Sequence, residues 1–299
     1  MSSEINKEEE KELLLLSESF PLDEKNERKK MKPVAEVHTL LKGVTIDKEK
    51  IFYKAIGLDD YEEVKKLHKE WFPVPYNEEF YENIFKKNNG QYDTVGAYYP
   101  LDMGEGKIKN VLLGLIIIQW RYVNKYFFDI VGKEVSEEIN RSIDYEEEIS
   151  FLFTKYPSYF CLYVMTLGVI DECRKMNIGT KLLKTVLNYG INVPYCLGVY
   201  LNVIENNFSG IKFYEKNGMT KTKHLTDFYE IDGKKYNSES FVMIYSREQK
   251  NKARSYRFSQ MKWYRKLYKI LILKPFYFLV KIFLMIFLCR WFSKKVKTD

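Results

Sequence analysis

The chain has 299 residues, room for one sizeable domain with extensions or for two small ones. Its net charge of +7 is unevenly spread: Arg247–Asp299 holds fifteen Lys/Arg against two acids, so that segment stands at +13 and the remainder at −6. A basic tail suits nucleic acid or an anionic membrane surface; the four cysteines show neither metal-ligand spacing nor a disulfide pattern, and the N-terminus lacks the basic start and long apolar core of a secretory signal, which points to reduced, cytosol-facing thiols.

Residues 1–48 are dominated by Glu, Lys and Ser, with one apolar run at Leu13–Leu16, and are expected to form a disordered charged leader. From residue 49 to 246 the patterns are those of a folded domain. IFYKAIG reads as a strand. DDYEEVKKLHKEW reads as a helix, with Val64, Leu67 and Trp71 at helical spacing. FPVPY (Phe72, Pro73, Val74, Pro75, Tyr76) is a loop stiffened by two prolines, and NEEFYENIFKK is a second short helix. TVGAYYP and NVLLGLIIIQW are strands joined by the Gly-rich turn DMGEGK. Residues 121–157 are acidic and irregular and read as an insertion.

YFCLYVMTLGVI is a near-continuous apolar run, as expected of a strand buried on both faces. A helix over about Ile178–Asn188, a strand at Leu197–Val203, a helix at Asn207–Asn217 and two closing strands follow. The alternation indicates an α/β (α+β) domain with a mixed sheet.

The most informative segment joins the buried strand to the next helix: Arg174-Lys175-Met176-Asn177-Ile178-Gly179-Thr180. A helix start offers unpaired N–H groups and the positive end of the dipole, which can hold a pyrophosphate. Gly179 lets a ligand approach, and Arg174 and Lys175 add charge. A basic turn before a helix is also common as solvated surface, so the turn alone leaves both readings open.

Taken with WFPVPY, YVMTLGV, YLNVIENN and IKFYEKNGM, in that order, the chain resembles the N-terminal acetyltransferases of the GNAT superfamily over about Phe52 to Tyr245, and is most similar to their NatF type. The family's coenzyme loop reads Arg/Gln-x-x-Gly-x-Gly/Ala. Here Asn177 replaces the first Gly, and Asn is the side chain that best tolerates left-handed backbone. The resemblance implies a GNAT fold with a mixed central sheet of about seven strands and flanking helices. It implies acetyl-CoA as cosubstrate, no metal, a monomer, and protein N-terminal peptides as substrates, chiefly those starting Met-Lys, Met-Val or Met-Leu. Coenzyme contacts fall on Leu167, Val169, Arg174, Lys175, Asn177, Ile178, Gly179, Thr180, Asn207 and Tyr214. The peptide's first residue meets Phe72, Pro73, Val74 and Tyr76 on one side, with Phe228 and Tyr229 on the other. The family's catalytic Tyr falls on Tyr163. Its catalytic His falls on Asn202, which can orient a water but cannot act as a base. Glu205, His68 and His224 are further titratable groups, each read as structural or solvated. A lysine (histone) acetyltransferase and a non-catalytic scaffold are the alternatives.

Beyond Ser246, Lys262, Arg265, Lys266 and Lys269 share one helical face among Trp, Leu and Ile residues, the pattern of a helix lying in a membrane interface. Phe276–Cys289 is apolar for 14 residues except at Lys281. A span needs about 20, so in-plane attachment is expected over crossing. Cations interleaved with Leu, Ile and Phe favour lipid over nucleic acid. The resemblance adds a cytosol-facing, Golgi-associated location.

Overall fold

The structure is a computed structural model that describes residues 36–72, 76–87, 90–123, 127–132, 137, 159–193 and 195–260. Within the segment expected as a leader, a short helix, α1 (Glu36–Leu40), buries Val37, and Leu41 just beyond it is buried too. The 49–246 domain begins with β1 (Phe52–Lys54), shorter than the expected strand. A 3₁₀ turn at Leu58–Asp60 leads into α2 (Tyr61–Trp71), which buries Tyr61, Val64, Leu67, His68 and Trp71 along one stripe. α3 (Glu78–Phe85) is capped by Asn77, whose Oδ1 accepts from the Phe80 N–H at 2.8 Å.

β2 (Tyr92–Asp102), β3 (Ile108–Tyr122) and β4 (Phe160–Val169) form an antiparallel run. Then come α4 (Ile178–Asn192), β5 (Cys196–Ile204), α5 (Phe208–Lys216), β6 (Thr220–Ile231) and β7 (Lys234–Ile244). The seven strands make one sheet in the order β1-β2-β3-β4-β5-β7-β6. Only β4–β5 is parallel, as a strand–helix–strand crossover requires. β5 is buried along its whole length and β4 along nearly all of it, which is why both read as unbroken apolar runs. Of the expected insertion, 127–132 is helical, and Phe127 packs on Tyr200.

Neighbouring β4 residues show that helices cover both faces. A Cβ on Gly168 would lie 2.1 Å from the Trp71 ring, while Val169 reaches towards Gly179 at the start of α4. Successive strand residues point to opposite faces, so α2 and α4 flank the sheet.

Residues from Glu248 on form a separate unit, whose described part belongs to the polar helix α6 (Arg247–Gln260). The tail pattern at 262–289 lies outside the described residues. Among the described residues no helix is long and apolar enough to cross a membrane.

Candidate active site

The sheet forks at its centre. β4 and β5 pair only from Phe160 to Tyr163, against Cys196 to Tyr200. Beyond that point β4 stays with β3 as far as Val169, and β5 stays with β7 as far as Ile204. The β4 edge from Val164 onwards therefore lacks a ladder partner on the fork side and offers backbone groups that must bond to something else. A register shift at Ile117/Ile118 leaves Met165 as one extra β4 residue, a bulge at the branching point.

Tyr163 is the last β4 residue paired with β5 and is fully buried. Its ring lies 4.9 Å from that of Tyr200 and carries the Arg121 guanidinium 4.2 Å from its centroid. Burial raises the Tyr200 hydroxyl's pKa, and Arg121 works against the rise. The bulge sets Tyr163, Thr166 and Gly168 on the face that meets Trp71; Leu167 and Val169 point to the α4 face.

Asn202 stands two residues past Tyr200 on the other prong and is completely buried. Its Oδ1 accepts from the Ser240 hydroxyl at 2.8 Å, and its Nδ2 has no partner among the described residues. Thr166 Oγ1 on the β4 prong is also buried and unpartnered among them. An amide donor and a hydroxyl so placed can hold a water or a substrate carbonyl, and neither can remove a proton.

The turn from β4 into α4 has the geometry an anion needs. After a 3₁₀ turn at Asp171–Cys173, Lys175 (φ 64°) and Asn177 (φ 65°) both take left-handed backbone. The Asn substitution for Gly is therefore conformationally sound. Asn177 makes no side-chain cap bond, and the first turn of α4 contains no acid. The N–H groups of Ile178, Gly179 and Thr180 are thus left for an external acceptor. The Ile178 side chain is buried, so only its backbone can serve a ligand. At Gly179 a Cβ would make ordinary contacts, the Phe213 ring at 3.5 Å being nearest. Arg174 is paired with Asp171 at 2.7 Å. Burial pushes the Cys173 thiol up to about 11, which keeps it unreactive.

Asn207 caps α5: its Oδ1 accepts from the Gly210 N–H at 2.9 Å and from the Ser209 hydroxyl at 3.0 Å. Its Nδ2 is buried without a partner among the described residues. Tyr214 is buried, its ring 5.9 Å from Phe241, on the side of the sheet where Phe213 approaches Gly179.

On the α2 face, Phe72 and Tyr76 are buried within an aromatic cluster; Tyr76 stacks on Phe80 at 4.4 Å. Pro73, Val74 and Pro75 lie outside the described residues. Phe228 and Tyr229 on β6 pack with Ile204 at the tip of the β5 prong. The remaining titratable groups are tied up in structure. Glu205 accepts from Asn237, and His224 sits across from Glu239. His68 is sealed among aromatic rings, and burial drives its pKa down to about 3. The sequence offered no signal for Arg121, Thr166 or Ser240. Trp71 could have been suspected only from its place before Phe72. Among the described residues no group of three or more His, Cys, Asp or Glu could hold a metal ion.

The acetyltransferase (GNAT) family model matches residues 61–219, from the start of α2 to the residue before β6. N-alpha-acetyltransferase 60 of Xenopus tropicalis is 26% identical over 187 residues, which cover 62% of this chain and 66% of that protein. The histone acetyltransferase MCC1 of Arabidopsis thaliana is 25% identical over 199 residues, covering 65% of this chain and 69% of that protein. The chain thus spans about two thirds of the length of these curated relatives. The crystal structure of Arabidopsis thaliana NAA60 with a bisubstrate analogue matches at a TM-score of 0.51 and 26% identity, over 65% of this chain and 97% of that one. The match takes in the forked strands and the basic turn before α4, and with it the chain belongs to the acetyltransferase (GNAT) family.

Proposed function

We propose that this protein transfers acetyl from acetyl-CoA to the α-amino group of protein N-termini, chiefly those starting with Met followed by Lys, Val or Leu. The observation that carries the reading is the fork between β4 and β5 opening onto an uncapped, acid-free start of α4. An extended ligand with a pyrophosphate at one end fits that combination: strand-edge backbone of Leu167 and Val169 for its amide arm, and the Lys175–Thr180 turn for its phosphates. Arg174 adds charge to the turn, while Asn207 Nδ2 is a buried donor in need of an acceptor. The relatives named N-alpha-acetyltransferase 60 and the complexes of their Arabidopsis counterpart with acetyl-CoA and with a bisubstrate analogue support the assignment.

The thioester supplies the activated acetyl group; the chain supplies position and charge. Backbone N–H groups of β4 polarise the acetyl oxygen, and the fork fixes both reactants in one slot. Asn202, oriented by Ser240, holds a water through Nδ2, and Tyr163 completes the polar floor. Tyr214 faces the departing sulfur. Phe72, Val74 and Tyr76 receive the first side chain; Phe228 and Tyr229 hold the peptide backbone. Because Asn202 is not a base, proton removal falls to water, and turnover is expected to rise with pH as the substrate amine loses its proton.

The test is turnover of the full-length protein with acetyl-CoA and peptides starting Met-Val, Met-Lys, Ser or Ala, beside a peptide with an internal lysine and a blocked terminus. Faster acetylation of the Met peptides is expected. Preference for the internal lysine would favour the second reading, a lysine acetyltransferase, which the likeness to MCC1 motivates. A Tyr163→Phe variant that kept full activity would remove that phenol from the mechanism.

We further propose that the basic, apolar 247–299 segment attaches the enzyme to the cytosolic face of a membrane, Golgi in particular, lying in plane. Sedimentation with anionic vesicles but not with an oligonucleotide is the expected result.

A further inference from the structure

We propose that His38, held as an imidazolium between Glu70 and Glu172, is a positioning residue that locks the end of α2 to the turn feeding α4. His38 Nε2 lies 2.7 Å from Glu70 Oε1, and Nδ1 lies 2.7 Å from Glu172 Oε1. Ionised carboxylates only accept hydrogen bonds, and a neutral imidazole has one N–H. Two short contacts to two carboxylates therefore require a ring protonated at both nitrogens. The electrostatics agree. Burial lowers the His38 pKa, but the hydrogen bonds and charges of Glu172 and Glu70 outweigh it and leave the pKa above its usual 6.5. Burial alone would raise the Glu172 carboxyl; the bond from His38, a backbone hydrogen bond, and the charges of His38 and Arg174 outweigh that and leave it below the ordinary range.

The two carboxylates belong to the two halves of the site. Glu70 immediately precedes Trp71, whose ring covers Gly168, and Phe72 of the substrate wall. Glu172 lies two residues before Arg174 in the coenzyme turn. α1 is itself anchored: Val37 and Leu41 are buried, the Val37 N–H donates to Glu63 at 3.1 Å, and Glu36 pairs with Lys109. Cys173 and Ile178 pin the turn to the core, but on the side facing α1 a cavity of about 420 Å³ opens between Leu41, Lys42, Val44 and Met176. The charged bridge at its rim adds the constraint there. The charged groups facing His38 are Glu70 from α2 and Glu172 from the turn, while Lys42 of its own segment lines the same cavity. Arg174 acts on it through Glu172.

A raised folded-state pKa means that the bridge is complete below about pH 6.5 and is lost as pH rises through the His38 midpoint. The geometry of the bridge stands by itself; its effect on coenzyme rests on the function proposed above. The experiment measures acetyl-CoA affinity by calorimetry from pH 6 to 9 on full-length wild type, His38→Gln and Glu172→Gln, with the His38 ring titrated by NMR. Wild type should lose about three- to fivefold in affinity across the His38 midpoint, the size of a partly exposed charged pair. His38→Gln should bind at the weaker level throughout, apart from the coenzyme's own ionisation. Glu172→Gln should move the midpoint of the affinity profile down together with that of the ring, a joint shift that a merely structural contact would not produce. A ring that titrates at or below 6.5, or a His38→Gln curve that overlays wild type while binding is intact, would overturn the proposal alone. Wild type that binds no acetyl-CoA at any pH would overturn the functional reading and this role together.

Discussion

The two walls of the proposed peptide side are built differently. The α2–α3 wall belongs to the main core: Trp71, Phe72, Tyr76, Phe80 and Tyr81 are all buried in it, with ring centroids 4.4–6.4 Å apart. The β6–β7 wall has a small cluster of its own, Phe228, Tyr229 and Ile231 against Ile204, and the first half of β6 is largely exposed. Its ladder slips register twice. A wall joined to the main core moves only if the fold moves. A wall resting on four side chains and an irregular ladder can shift at much lower cost. Changes on the first wall should therefore register as stability, and changes on the second as substrate affinity.

The sharpest break of that contrast would come at Trp71. Truncation to Ala should cost about 3–5 kcal/mol in denaturant unfolding, and Gly168→Ala, which drives a methyl into the same ring, about 1–3 kcal/mol. A small loss in both would mean that the first wall is as yielding as the second. Next in size is His68→Leu. Neither ring nitrogen of this sealed imidazole has a partner among the described residues, so the substitution should stabilise by about 1–3 kcal/mol. The folded-state pKa of about 3 adds a pH signature. The unfolded chain takes up a proton near 6.5, which the folded one refuses until about pH 3, so wild-type stability falls with acidification across that window. His68→Leu should lack this component of the slope. On the second wall, Tyr229→Phe should raise peptide KM about threefold with the melting temperature nearly unchanged; an equal fall in stability would place Tyr229 with the first wall. The smallest effect belongs to the turn. Asn177→Gly should stay within about 0.5 kcal/mol of wild type, while Asn177→Ala, a poorer left-handed residue, should cost about 1 kcal/mol. Paired unfolding curves decide this.

Much of this architecture was legible because it is local. The helical period of α2 and the unbroken apolar runs of β3, β4 and β5 report the state of one segment at a time. Asn177 at a left-handed position belongs with them, since the constraint lies within a single residue. The helix at Glu36–Leu40 departs from the disordered leader expected there for the complementary reason. Its composition is that of a solvated chain, and α1 is held by Val37 in a distant core and by His38 between two remote carboxylates.

The sequence by itself determined the order and kind of elements, the buried central strands and the basic turn before α4, because hydrophobic period and backbone preference act over a few neighbouring residues. Tertiary structure alone decided where the sheet forks, that Met165 bulges, that Trp71 closes over Gly168, that Ser240 orients Asn202, and that His38 meets Glu172 across 134 positions. Those contacts depend on which segments meet, and a single chain's pattern carries no record of its partners until the sheet has set their register.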